Sequence, residues 1–265
     1  MEPTKKPLTI VKIGGNVIDN SAQLHYFLED FSALPGDKIL VHGGGKVATD
    51  LGVTMGVEAK MVDGRRITDI QTLRIVTMAY AGLINKNIVA QLQARNCNAI
   101  GLTGADGNTI KAVKRPVKTI DYGFVGDLDD QSVSVRTITA LLDGQLVPVF
   151  CALTHDGDSQ LLNTNADTIA SAIAVAMSTA NDTTLIYCFE KKGVLRDVED
   201  ESSLISEIKL EEFSGLQQSG VISGGMIPKL HNAFEAIKSG VKEVLIGHAD
   251  ELLKHTSRRG TRLIK

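Results

Sequence analysis

Two short aliphatic runs, residues 8–13 and 38–41, each lead into a glycine cluster, Gly14-Gly15 after the first and Gly43-Gly44-Gly45 one residue beyond the second. Runs this continuous in Val, Ile and Leu, stopped by residues that free the backbone, are the signature of strands buried on both faces of a parallel sheet. Between them Leu24, Phe27, Leu28 and Phe31 recur at the i, i+3, i+4, i+7 spacing of one buried helix face, with Ser21 as the predicted cap. A β-α-β unit closes only as a right-handed crossover, so the opening forty residues restrict the chain to α/β architectures.

The alternation continues. Thr68-Asp69-Ile70-Gln71 has the form of a capping box and opens a long helix whose buried side is predicted to carry Leu73, Val76, Tyr80, Leu83, Ile84 and Leu92. Residues 99–103 and 146–150 read as further buried strands, and 111–128, broken by Pro116, Gly123 and Gly126, as an antiparallel excursion. A helix begins near Asn165, and a second β-α pattern follows: a strand at 184–189, helices at 210–218 and 226–239, a strand at 243–246. Polarity rises at 178–183, so two lobes are predicted, 1–177 and 178–265, on a largely parallel sheet.

Of the 265 residues, 43% are hydrophobic, enough for a large core, and 28 basic against 31 acidic residues leave a formal charge of −3 with no basic run dense enough to follow a nucleic acid. Cys97, Cys151 and Cys188 are odd in number and far apart, which indicates neither a disulfide framework nor a structural zinc site. No stretch approaches the eighteen or so apolar residues of a membrane span, and the expected setting is the cytoplasm, with small-molecule partners.

Three readings compete for the turn at 41–52, VHGGGKVATDLG. A P-loop requires Ser or Thr after its lysine, and Val47 follows Lys46. A lipase-type oxyanion loop requires a Gly-x-Ser-x-Gly elbow, which the chain lacks. A dinucleotide turn, Gly43-x-Gly45-x-x-Ala48 with Asp63 as the ribose acid, does match and stands as an NAD(P)-dependent oxidoreductase alternative. That alternative leaves other residues unexplained. Lys12 precedes Gly14-Gly15 at a strand's carboxyl end, where open α/β sheets bind ligands, so two anion cradles would lie side by side. Arg65-Arg66 stands ahead of a helix, where one guanidinium could clamp a carboxylate. Asn163, Asn165 and Asp167 crowd a helix start at which capping needs only one of them. Ser223-Gly224-Gly225 precedes a helix that carries Lys229.

Together Lys12-Ile13-Gly14-Gly15, His42-Gly43-Gly44-Gly45, Gly64-Arg65-Arg66-Ile67-Thr68, Asn163-Thr164-Asn165-Ala166-Asp167 and Gly224-Gly225-Met226-Ile227-Pro228-Lys229 resemble, in order and spacing, the acetylglutamate kinases of the amino acid kinase family. The resemblance implies an open αβα sandwich in which the N-terminal lobe holds an N-acylated glutamate and the C-terminal lobe MgATP. It implies that Lys12 and Lys229 neutralise the migrating phosphoryl group and that Asp167 fixes both. Gly44, Gly45, Arg66 and Asn163 would hold the substrate, and Gly14, Gly15, Gly193, Ile222 and Ser223 the nucleotide. No dedicated metal ligand is predicted, Mg²⁺ arriving with ATP. The family's usual Asp-x-x-Gly is replaced here by Glu190-Lys191-Lys192-Gly193, whose extra lysines could serve ATP phosphates or ribose-side contacts. N-acetyl-L-glutamate is the expected substrate, with N-succinyl-L-glutamate as the alternative if a cation, Arg65 or Lys60, faces the acyl group. About seven residues precede the first strand, too few for the extra helix that joins dimers into hexamers in arginine-inhibited relatives, so a homodimer without strong arginine feedback is expected.

Overall fold

The strands anticipated from the first two aliphatic runs lie at the centre of one eight-stranded sheet. In this computed structural model, residues 5–62, 64–197, 199–222, 226–253 and 260–265 are described. The sheet strands are β1 (Lys6–Ile13), β2 (Asp37–His42), β3 (Ala99–Leu102), β4 (Val147–Cys151), β5 (Asn181–Phe189), β6 (Glu207–Lys209), β7 (Glu243–His248) and β8 (Thr261–Ile264), in the order β6-β8-β7-β5-β1-β2-β4-β3. From β7 across to β3 every pairing is parallel, and β8 alone runs antiparallel to its neighbour β7. Ile10, Val11, Ile13, Ile39, Leu40, Val41, Leu185 and Ile186 are fully buried, the two-faced burial that a parallel sheet imposes.

The described helices include α1 (Ser21–Ala33), α2 (Gly45–Thr54), α3 (Ile70–Val76 continuing through Thr77–Ile84 and Asn85–Gln93), α4 (Val135–Asp143), α5 (Ala166–Ser178), α6 (Leu210–Gln218) and α7 (Met226–Lys238). In α1 the four spaced apolar residues are all buried, but the cap is Asn20, whose side-chain oxygen accepts from the Ala22 and Gln23 amides; Ser21 is already inside the helix. At α3 the cap is Asp69, accepting from the Thr72 amide, and Thr68 is buried and bonded elsewhere, so the predicted capping box does not form. The middle of α3, Thr77–Ile84, is π-helical. That wider turn breaks the 3.6-residue register: Tyr80 and Ile84 stay inside while Leu83, predicted to be buried, is 54% exposed.

Two strands of this sheet escaped the sequence reading, as did the short pairs Met61–Val62 with Arg65–Arg66 and Leu153–His155 with Leu161–Asn163. β6 is three residues long and buries only Ile208, and β8 lies at the far end of the chain. The predicted antiparallel excursion is present as the hairpin Val113–Lys114 with Gly126–Asp127. β1 pairs with β5 along its whole length, from Lys6 opposite Asn181 to Ile13 opposite Cys188, so the sheet runs without a break past residue 177. α5 packs on β1, β2 and β5 and against α7. The carboxyl ends of β2, β1, β5 and β7 thereby lie side by side, with Lys12 in β1 and Gly14-Gly15, Gly43-Gly44-Gly45 and Glu190-Lys191 directly after β1, β2 and β5.

Candidate active site

Lys12 is the penultimate residue of β1, flanked by Val41 of β2 and Tyr187 of β5. Its Nζ lies 2.6 Å from Asp167 Oδ1, and both side chains are largely sheltered from solvent. Asp167 stands in the first turn of α5, where the Asn165 side chain caps the helix by accepting from the Asp167 and Thr168 amides. A carboxylate in a first turn is also favoured by the helix dipole. The Tyr187 hydroxyl donates to the Asp167 carbonyl at 3.2 Å, tying the same turn to β5. The three-Asx cluster therefore resolves into one cap, one ion-pairing carboxylate and, at Asn163, a separate role.

Beside this pair, Lys12, Gly14, Gly15, Asn16, Glu190, Lys191 and Lys229 line a cleft of about 330 Å³. A second hollow is walled by Lys12, Asp167, Tyr187, Phe189, Lys229 and Asn232. Both predicted lysines thus face common space. Their partners differ: Asp167 holds Lys12, whereas Lys229 rests its Nζ 4.8 Å from the centroid of the Phe189 ring. Three lysines around the Gly14-Gly15 turn make a site suited to a polyanion, since backbone N–H groups and ammonium charges both favour phosphate oxygens.

On the other side of the edge, the Gly43-Gly44-Gly45 turn starts α2. Gly44 adopts φ 148°, and a Cβ there would run into Ile84 and Tyr80 of the π-helical stretch, so the turn admits only glycine while α3 packs this closely. A Cβ on Gly43 would lie 3.9 Å from the Ala166 Cβ, one residue from Asp167, which sets the turn beside the pair of Lys12 and Asp167. Arg66 reaches back to the start of α2, one terminal nitrogen donating to the Gly45 carbonyl and to Thr49 Oγ1, both at 2.8 Å. Asn163 donates to Thr68 Oγ1 at 3.0 Å, and the Thr68 hydroxyl in turn donates to the Arg66 carbonyl. Gly45, Arg66, Thr68 and Asn163 therefore form one continuous hydrogen-bonded frame.

His42, below that turn, is fully buried. Its Nδ1–H donates to the Gly43 carbonyl at 2.8 Å, and Nε2 accepts from Asn85 Nδ2 at 3.0 Å, a pairing that assigns the neutral tautomer. Burial pushes its pKa down to about 4, the Gly43 bond opposing that and the Lys86 charge adding to it. It is a structural residue.

The remaining predicted residues sit differently. Gly193 has φ 157°, and a side chain there would collide with Leu204 and Thr261, so packing against the last strand already demands glycine. The Ile222 side chain is buried in the core, leaving only its backbone for a ligand. Ser223, like Gly224, Gly225 and Asp63, lies outside the described residues. Of the two unexpected lysines, Lys191 lines the cleft and Lys192 pairs with Glu201 at 2.6 Å. Arg65 is exposed and lines a different hollow with Arg115, Lys118 and Tyr122.

Sequence reasoning missed Thr49, Thr68, Asn85 and Phe189. Thr49 had a signal, for it stands one helical turn after Gly45 on the same face. Asn85 had none, because its partners His42 and Val149 are 43 and 64 positions away.

The Amino acid kinase family profile matches residues 7–248. The acetylglutamate kinase of Bacteroides fragilis strain ATCC 25285 is 54% identical over 264 residues, covering 100% of this chain and 99% of that protein. Among solved structures, smu.665 from Streptococcus mutans UA159 superposes with a TM-score of 0.77 at 27% identity, covering 97% and 98% of the two chains. The carbamate kinase of Giardia lamblia bound to AMP-PNP shares the fold, with a TM-score of 0.70 at 16% identity over 98% and 99%. None of these favours a dinucleotide turn at Gly43-x-Gly45-x-x-Ala48, and the lysines and Asp167, which that reading left idle, converge next to it. With its motifs gathered at one sheet edge and its sequence matched almost end to end, this chain belongs to the amino acid kinase family.

Proposed function

We propose that the protein transfers the γ-phosphoryl group of ATP to the γ-carboxylate of N-acetyl-L-glutamate, a step of arginine biosynthesis. The observation that carries this is the nearness of two unlike half-sites: a hydrogen-bonded frame around Gly45, Arg66 and Asn163, and a lysine-lined cleft, with Gly43 so placed that a Cβ on it would lie 3.9 Å from the Ala166 Cβ, beside Asp167. In this reading residues 1–177 hold the acylated amino acid and 178–265 the nucleotide.

A γ-carboxylate, with an ordinary pKa of about 4.3, is already ionised at neutral pH. One of its oxygens attacks the terminal phosphorus, the bond to the bridging oxygen breaks, and that electron pair leaves on ADP; no proton moves. A general base is unnecessary, which agrees with His42 being buried and neutral. The obstacle is charge, an anion approaching a polyanion, and it is lowered by cations and N–H dipoles fixed around the transferring group. Lys12 and Lys229 supply the charge, Asp167 orients Lys12, and the Gly44 and Gly45 amides meet the reacting end. Arg66 and Asn163 hold the far carboxylate, while Gly14 and Gly15, helped by Lys191, receive phosphates, with backbone contacts from Gly193, Ile222 and Ser223. Mg²⁺, arriving with ATP, would supply further positive charge to the phosphates. The phosphate oxygens are the hard ligands that the reaction itself offers it.

The acetyl group is favoured over succinyl because Arg65 turns to the hollow beside Arg115, away from the Arg66 side of its strand, and a second buried carboxylate would need a cation. For assembly we propose a homodimer through α3, whose Ile70, Met78 and Leu83 are exposed although apolar.

Incubation with MgATP and N-acetylglutamate should release ADP in a substrate-dependent way, and hydroxylamine should trap the acyl phosphate as a hydroxamate. ADP release without hydroxamate would overturn the carboxylate as acceptor, and a higher kcat/KM for the succinyl compound would overturn the acyl assignment.

A further inference from the structure

Among the described residues Lys229 has no carboxylate within ion-pairing distance; its recorded contact is the face of Phe189. Lys12, the other lysine of the cleft, is held by a carboxylate at 2.6 Å. Phe189 is the last residue of β5, packed against the apolar core and lining both hollows at the carboxyl edge, so its ring is fixed by the sheet. Lys229 is on the first turn of α7, exposed, with a four-carbon stem that would otherwise sample many rotamers. We propose that Phe189 is a positioning residue, its ring holding the Lys229 ammonium over the phosphate cleft without neutralising it. This rests on the proposed kinase reaction and adds a residue to it.

A carboxylate would hold Lys229 more firmly, but it would also compete with the phosphoryl oxygens for the same charge. A ring face attracts the cation through its quadrupole, orients it, and releases it when a stronger anion arrives. Two cations with different holders then serve different moments. Lys12 stays fixed by Asp167 throughout, and Lys229 moves from the ring to the transferring group as charge develops.

The test is a double-mutant cycle with an activity-independent control. Phe189→Leu keeps an apolar side chain and removes the ring; it should lower kcat about fivefold with little change in the KM for N-acetylglutamate. Phe189→Tyr, which restores a ring face, should recover most of that loss. In a Lys229→Met background, measured by single turnover, Phe189→Leu should have no further effect. An equal loss in both backgrounds would make Phe189 a packing residue and overturn the proposal, as would a leucine variant with unchanged kcat or a tyrosine variant no better than leucine. Independently of turnover, the Lys229 ε-methylene protons should show an upfield ring-current shift that AMP-PNP relieves. Absence of that shift overturns the contact even if the enzyme is active, and its presence in a protein that phosphorylates no acylglutamate places the failure in the kinase reading. Should the leucine variant not fold, the shift and the tyrosine variant decide.

Discussion

The two halves of the candidate site are built to different standards of rigidity. On the substrate side every polar residue is tied to another: Arg66 to Gly45 and Thr49, Asn163 to Thr68, Thr68 back to Arg66, His42 to Gly43 and Asn85. On the nucleotide side the described cations are held loosely, Lys229 by an aromatic face and Lys192 by an exposed pair, while Lys191 has an exposed side chain lining the cleft. The difference follows from what each half must recognise. A small acylated amino acid offers few groups, so its site must be preorganised, whereas a triphosphate brings enough charge to draw flexible lysines into place. Lys12 and Asp167 stand at the joint and belong to the rigid half.

If that joint is where rigidity matters most, the largest loss should come from loosening it. Asp167→Asn keeps the shape of the side chain and the helix start, but Lys12 loses the charge that orients it. We expect kcat to fall about a hundredfold, with KM values for both substrates moving only a few-fold and thermal stability little changed. Steady-state kinetics decide the point. Turnover within a factor of about three of the parent would reduce Asp167 to a first-turn helix residue.

The rigid half should also carry a pH signature of its own. His42 is buried neutral with its pKa pushed down to about 4, below the ordinary value near 6.5. The unfolded chain therefore takes up a proton in the window from pH 6.5 down to 4 while the folded protein does not. The stability contributed by the neutral ring is complete above pH 6.5 and is lost as pH falls through that window, by about 3 kcal/mol at its lower end. Urea unfolding of the parent and of His42→Gln at pH 7 and pH 4.5 isolates this term, because other groups titrate alike in both. Parallel pH profiles for the two proteins would show that His42 is not the group responsible.

The same contrast decided what could be read from the sequence. Lys12, Gly14-Gly15 and the triple glycine announced themselves because each interrupts or ends an aliphatic run, and Asp167 because it crowds a helix start with two asparagines, local events that a sequence exposes. The braces could not be seen that way, since Asn163 and Thr68 are 95 positions apart and meet only once the sheet has formed. The π-helical stretch of α3 was equally hidden: an assumed 3.6-residue turn puts Leu83 inside, and the wider turn puts it out while bringing Tyr80 and Ile84 onto Gly44. Phe189 read as one more apolar strand residue, because nothing in the sequence says which lysine will lie across it. The Asn20 cap was missed by one position, a shift that cap residues adjacent in sequence make easy.

The smallest expected effect tests the loose half directly. Glu190-Lys191-Lys192-Gly193 places two neighbouring lysines after β5, and the fold sends them to different surroundings: Lys191 lines the cleft with Lys12 and Lys229, and Lys192 pairs with Glu201, both of them well exposed. A cation that meets only an exposed phosphate contributes modestly, because solvent and salt screen it. Lys191→Ala should therefore raise the KM for ATP about two- to fivefold, leave kcat and the KM for N-acetylglutamate nearly unchanged, and lose its effect as salt is raised. Lys192→Ala should do none of this, since an exposed pair of that kind adds little to stability and faces no ligand. Equal effects from the two alanine variants would mean that the charge acts as a diffuse field, and a drop in kcat from Lys191→Ala would move it from the loose half into the set that acts on the transition state.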